Sequence, residues 1–112
     1  ITMEAWDMKY KPNSDWNHAW GAAPANIIPG YLWGITPAEP GFAKCIIRPQ
    51  LGNLKHSKIK VPTIRGFIEA EFRDTGKLKE YIITIPGNML CDFVNPDDKI
   101  IKLLPGLNKI KI

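Results

Sequence analysis

Residues 66–86, GFIEAEFRDTGKLKEYIITIP, constrain the fold of this chain more than any other stretch. Ile68, Ala70 and Phe72 fall on one side of a period-two pattern, with Glu69, Glu71 and Arg73 on the other. That is the signature of a strand with one dry and one wet face. DTGK then turns the chain, and Tyr81, Ile83 and Ile85 repeat the alternation in a partner strand. Shorter runs of the same kind surround this hairpin: FAKCIIRP (42–49), KIKVPT (58–63), MLCDFV (89–94), KIIKLL (99–104) and NKIKI (108–112). Six or seven short strands at steps of about 8–12 residues, with no helical stretch between them, predict an antiparallel β-sandwich rather than βαβ units. No internal repeat or low-complexity tract interrupts the pattern.

The first third of the chain follows a different pattern. All four tryptophans (Trp6, Trp16, Trp20 and Trp33) lie there, and GITPAEPGF (34–42) separates them from the strands with two prolines and two glycines. Trp20, Ala23, Ile27, Ile28, Tyr31 and Leu32 recur at three- and four-residue spacing, one face of a helix. Pro24 and Pro29 each remove a backbone donor, so that helix is expected to be kinked or split. Gly30 weakens it further.

Composition excludes several classes of function. A chain of 112 residues with 45% hydrophobic and 23% charged residues suits about one ordinary globular domain, not a disordered segment. No apolar run approaches the ~20 residues of a membrane span, so no membrane partner is expected. The net charge of +4 comes from lysines that alternate with apolar residues, as Lys58 and Lys60 do, which describes a solvated sheet face. Arginine occurs only at 48, 65 and 73, so no nucleic-acid patch is expected. The chain opens at Ile1 without an initiator methionine and reads as a piece of something longer. Cys45 and Cys91 lie in strand-like runs, either as small buried side chains or as a disulfide pair. Their spacing with histidine does not suit zinc, and no metal or cofactor is expected.

The chemistry-bearing residues concentrate in MEAWDMKYKPNSDWNHAWGAAP (3–24). Glu4 and Asp7 are three apart, followed by Asp15 and His18. Carboxylates beside aromatic rings are what glycoside cleavage uses: one acid protonates the leaving oxygen while a second group activates water or attacks. Tryptophan faces suit the C–H surfaces of sugars. On spacing alone the same acids more often mark a surface turn or the first turn of a helix, and a lone His18 is more often a packed, hydrogen-bonded histidine. No phosphate loop occurs, neither Ser14 nor Ser57 sits in a nucleophile elbow, and Cys45 has no neighbouring base.

Taken together, TMEAWDMKYKPNSDWNHAWGAAPANIIPGYLWGI and the following PAEPGFAKCIIRPQLGNL resemble the C-terminal part of bacterial α-L-rhamnosidases of the inverting type. The combination T-M-E-A-W-D, N-H-A-W-G-A, P-G-F and I-x-P carries the resemblance over roughly residues 1–70; any single piece would be weak. The resemblance implies that residues 1–35 are the loop and kinked helix that end an (α/α)₆ barrel, and that residues 36–112 are a C-terminal β-sandwich. It implies that Glu4 is the general base polarising the attacking water, that Trp6 packs beside it, and that His18 contacts the rhamnose ring. It further implies that Asn17 shapes the loop rather than touching the sugar. The general acid would lie upstream, outside this chain, so the 112 residues alone would hydrolyse nothing. Implied partners are a rhamnose-containing saccharide and the upstream barrel, with self-association of the isolated piece as a further expectation. A periplasmic or secreted location is favoured if the parent carries a signal peptide. Departures are Met3 where many relatives have an aromatic residue, a short interval from Glu4 to His18, and Gly30 in place of a helix former. The alternatives are a non-catalytic carbohydrate-binding or structural sandwich with an aromatic arm, and a purely structural interaction module.

Overall fold

The computed structural model describes residues 7, 9, 10, 12 and 19–112. Among the described residues, eight strands form two four-stranded sheets around one core. They are β1 (Ile35–Pro37), β2 (Lys44–Ile47), β3 (His56–Thr63), β4 (Gly66–Asp74), β5 (Lys79–Ile85), β6 (Leu90–Val94), β7 (Ile100–Leu103) and β8 (Gly106–Lys111). One sheet has the order β1-β2-β6-β7 and the other β3-β4-β5-β8. The expected hairpin is β4–β5, with Phe72 opposite Tyr81 and Ala70 opposite Ile83. The expected inward residues Ile68, Ala70, Phe72, Tyr81, Ile83 and Ile85 are all buried. Rings link the layers: Phe72 and Tyr81 are 4.9 Å apart within one sheet, and Tyr81 meets Phe93 of the other at 5.0 Å, edge to face.

Two details depart from a simple antiparallel sandwich. The three-residue strand β1 lies inside the stretch read as a boundary, too short to show an alternation. β2 and β6 also run parallel. The reason is parity. The pairing directions are those of a chain that reverses at each connection, so odd and even strands point opposite ways. Every neighbouring pair then joins an odd to an even strand except β2 and β6, both even.

The helical segment is split, as its prolines require. A 3₁₀ turn (Ala19–Ala22) leads into one α-turn (Ala23–Ile27) and then a π-turn (Ile28–Leu32). Pro24 sits in the first turn of the α segment, where its missing donor costs nothing. Pro29 cannot donate four residues back, and the chain widens until the Trp33 N–H reaches the Ile28 carbonyl at 3.1 Å, five residues back. Among the described residues, no helix is long and apolar enough to cross a membrane.

The segment is joined to the sandwich without slack. Trp33 is wholly buried, and its indole N–H donates to Ser57 Oγ at 3.1 Å. The backbone N–H of Gln50 donates to the Leu32 carbonyl at 2.8 Å, and that of Arg48 to the Gly34 carbonyl at 3.1 Å. Gly34 has φ +60°, and a Cβ placed there would lie 2.1 Å from the Arg48 carbonyl oxygen. At the end of the sandwich that holds the β3–β4 turn, Arg65 staples three loops: its Nε–H donates to the Gly41 carbonyl (2.8 Å) and its Nη1–H to that of Asn88 (2.9 Å).

The outer face of the β3-β4-β5-β8 sheet is a lattice of ion pairs. Lys60 meets Glu69 at 2.8 Å, Arg73 meets Glu71 at 2.6 Å, His56 meets Glu71 at 3.1 Å and Lys111 meets Glu80 at 3.7 Å. These are cross-strand and same-strand neighbours on the wet side, as the lysine alternation predicts. A hydrogen bond from Lys60 holds Glu69 below the ordinary carboxylate range. Arg73 and then His56 do the same for Glu71, and the Gly76 N–H and then Lys55 for Asp74.

Two predictions follow from this architecture. Gly34→Ala meets backbone in a left-handed conformation and should cost about 3 kcal/mol or more, whereas Gly76→Ala has open space and should cost only about 1 kcal/mol. Urea unfolding of the two variants checks this, and equal losses would show that the Gly34–Arg48 approach is not tight. For pH, depressed carboxylates bind fewer protons folded than unfolded, so their stabilisation is complete above the unfolded range and lost as pH falls through it. Melting temperature should therefore drop below about pH 4. Glu71→Gln should flatten that acid-side slope in calorimetry across a pH series, and an unchanged slope would remove Glu71 from the effect.

Candidate functional site

The three residues singled out for chemistry, Glu4, Trp6 and His18, lie outside the described residues. So do Asp15, Trp16 and Asn17. Asp7, the acid spaced three from Glu4, is described. Its Oδ1 accepts the Lys9 backbone N–H at 3.0 Å, and its carbonyl accepts that of Tyr10 at 3.0 Å. This is an Asx-turn, in which a short carboxylate satisfies the turn's own donors. Lys9 lies 3.8 Å from the same carboxylate and 4.8 Å from the centre of the Tyr10 ring, and Asp7, Lys9 and Tyr10 are all exposed. Asp7 thus takes the surface-turn role, the plainer of the two open to it.

Between this turn and the sandwich, the helical segment presents Ile27, Ile28 and Tyr31 to the outside. Its C-terminal end is anchored through Leu32, which packs on the core, and through buried Trp33. The periodicity of the sequence therefore marks a real apolar face, but only its C-terminal end is covered by the strands. Ser57 accepts the Trp33 indole N–H, a structural use consistent with its lack of a nucleophile's setting.

The sandwich adds ordered loops but no convergent catalytic set among its described residues. The loop Pro37–Phe42 forms a shallow, mainly apolar depression with Glu39 as its one carboxylate. A second depression, at the opposite end, is lined by Lys55, Asp74, Lys77, Lys79 and Asp97, with Lys55 paired to Asp74 at 3.3 Å. Among the described residues, no group of three or more His, Cys, Asp or Glu side chains is placed to hold a metal ion. On the outer side of β2 and β6, Lys44 and Asp92 pair at 2.8 Å, and the hydrogen bond from Lys44 to Asp92 holds the lysine above its ordinary range. The Cys45 and Cys91 thiols, both free, face the core.

Sequence reasoning missed two polar side chains that shape these loops. Arg65 looked like one of three scattered arginines. Asn95, buried at the β6–β7 turn, accepts the backbone N–H groups of Asp97 and Lys99 at Oδ1, at 3.0 and 2.8 Å. The string NPDD carried that turn signal.

Comparison with known proteins gives one consistent answer. Residues 34–101 match the family described as the bacterial alpha-L-rhamnosidase C-terminal domain. A curated alpha-L-rhamnosidase of Alteromonas sp. (strain LOR) is 34% identical over 85 residues, which is 75% of this chain and 9% of that protein. Among solved structures, native alpha-L-rhamnosidase from Aspergillus terreus superposes with a TM-score of 0.84 at 21% identity, covering 100% of this chain and 14% of its own. The Streptomyces avermitilis alpha-L-rhamnosidase complexed with L-rhamnose gives 0.80 at 14% identity, with the same two coverages. These likenesses establish a shared fold, and this chain spans only a small part of each relative's length. With the match over residues 34–101 and the Alteromonas relative, they place the chain: it belongs to the bacterial alpha-L-rhamnosidase C-terminal domain family.

Proposed function

We propose that this chain is the C-terminal end of an inverting α-L-rhamnosidase and that it supplies that enzyme's general base. The observation that carries this reading is the run T-M-E-A-W-D followed by N-H-A-W-G-A, placed directly before a domain of the rhamnosidase family. In this reading residues 1–35 complete an α-helical barrel and residues 36–112 are the stabilising sandwich. The exposed face of Ile27, Ile28 and Tyr31 supports the division, because a barrel helix needs neighbours that the sandwich does not provide. The substrate is a rhamnose-containing saccharide or glycoside, and no cofactor is required.

The chemistry divides between two carboxyl groups. Glu4, ionised, takes a proton from water as that water attacks the anomeric carbon. A carboxylic acid from the upstream part of the chain protonates the departing oxygen. Inversion requires the two to stand ~6.5–9.5 Å apart, leaving room for the water between them. Trp6 packs beside Glu4 and limits competing solvent, and His18 hydrogen-bonds the sugar ring. The sandwich does no chemistry of its own.

Hydrolysis of an aryl α-L-rhamnoside by the full-length enzyme tests this. Glu4→Gln should lower kcat by at least about 10³-fold with binding of rhamnose retained. The isolated 112-residue chain should release no product. An unchanged rate for Glu4→Gln in an active parent would remove Glu4 from the base role, and an inactive parent would leave the fold but discard the substrate.

A further inference from the structure

Cys45 and Cys91 are register partners in β2 and β6, the one parallel pair of the sandwich. Both side chains point inward, at 0% and 2% exposure. Parallel neighbours run ~4.8 Å apart, inside the ~4.4–6.8 Å Cα separation that a disulfide spans. No wall of side chains separates them, and no backbone has to travel to bring them together. We propose that Cys45 and Cys91 form a disulfide when the protein folds in oxidising surroundings, and that this bond locks β2 to β6.

While β2 and β6 are still apart, one of the two cysteines, as its thiolate, attacks one sulfur of a small disulfide such as oxidised glutathione, forming a mixed disulfide and releasing one glutathione thiolate. The other cysteine then gives up its proton and attacks the first cysteine's sulfur, displacing the second glutathione. Two protein thiols lose two electrons and two protons, and one oxidant disulfide becomes two thiols. Neither sulfur is reachable in the finished fold, so exchange must precede the closing of β6 onto β2, and the completed bond is then shielded from reductants.

The position gives the bond its effect. β2 and β6 are separated in sequence by the whole of β3, β4 and β5, which belong to the other sheet. A cross-link there joins the two paired strands that lie farthest apart in sequence, a pair that no hairpin turn holds. This inference is independent of the assignment of Glu4.

The test is to refold the full-length protein from denaturant in an oxidised/reduced glutathione buffer, alkylate free thiols, and map peptides without reduction. The expected result is a peptide pair joined through Cys45 and Cys91 and lighter by two hydrogens than its parts. Amide exchange in β2 and β6 should be about tenfold slower or more than in reduced protein. Cys45→Ala and Cys91→Ala should each abolish the redox dependence. Full alkylation of both cysteines after oxidative refolding would overturn the proposal, as would a linked protein whose β2 and β6 amides exchange no more slowly.

Discussion

The close approach of Gly34 to Arg48, with the buried Trp33 beside it, is the constraint on which the rest of this molecule depends. Two kinds of chain meet there: a proline-broken helical segment and an eight-stranded sandwich. Trp33 lies wholly inside the sandwich and contributes on the order of 4 kcal/mol of apolar burial as an upper bound. Its one polar atom is satisfied by Ser57, so burial carries no unpaired donor. Gly34 then lets the backbone turn under the Arg48 carbonyl where any side chain would collide. With the bonds from Gln50 to Leu32 and from Arg48 to Gly34, the helical segment leaves the sandwich at a fixed angle rather than through a linker.

The two faces of the domain divide its relations with the surroundings. The outer side of the β3-β4-β5-β8 sheet pairs Lys60 and Lys111 with glutamates across strands and Arg73 with Glu71 along its own strand, which makes it a charged, water-facing surface. The helical segment does the reverse, leaving two isoleucines and a tyrosine bare. The chain itself covers only a minor share of the much longer relatives it matches.

What was legible in the sequence follows from what periodicity encodes. A period of two states which side of a strand is dry, so the inward set of β4 and β5 was readable residue by residue. It does not state which strand lies next to which, and the parallel β2–β6 pair depends on chain parity and on the return from the other sheet. β1 was too short for any period to show. Pro24 and Pro29 announced a broken helix, but not that it would run through 3₁₀, α and π turns in that order. For the site, spacing alone leaned toward plain structural roles for Glu4 and His18. Only the longer motif tilted that balance, and Asp7 shows how an acid in the same stretch can serve a turn alone.

The comparison structures explain why so little identity suffices. Relatives with 14–21% identity retain the fold at TM-scores of 0.80 or more. Cores accept exchange among residues of similar volume, so the inward β-positions can vary without moving the sheets. The positions that cannot vary freely are those where backbone geometry or a single polar atom decides the outcome: Gly34 under the Arg48 carbonyl, Arg65 across three loops, Asn95 in its turn. They hold the junction and the loop ends in place.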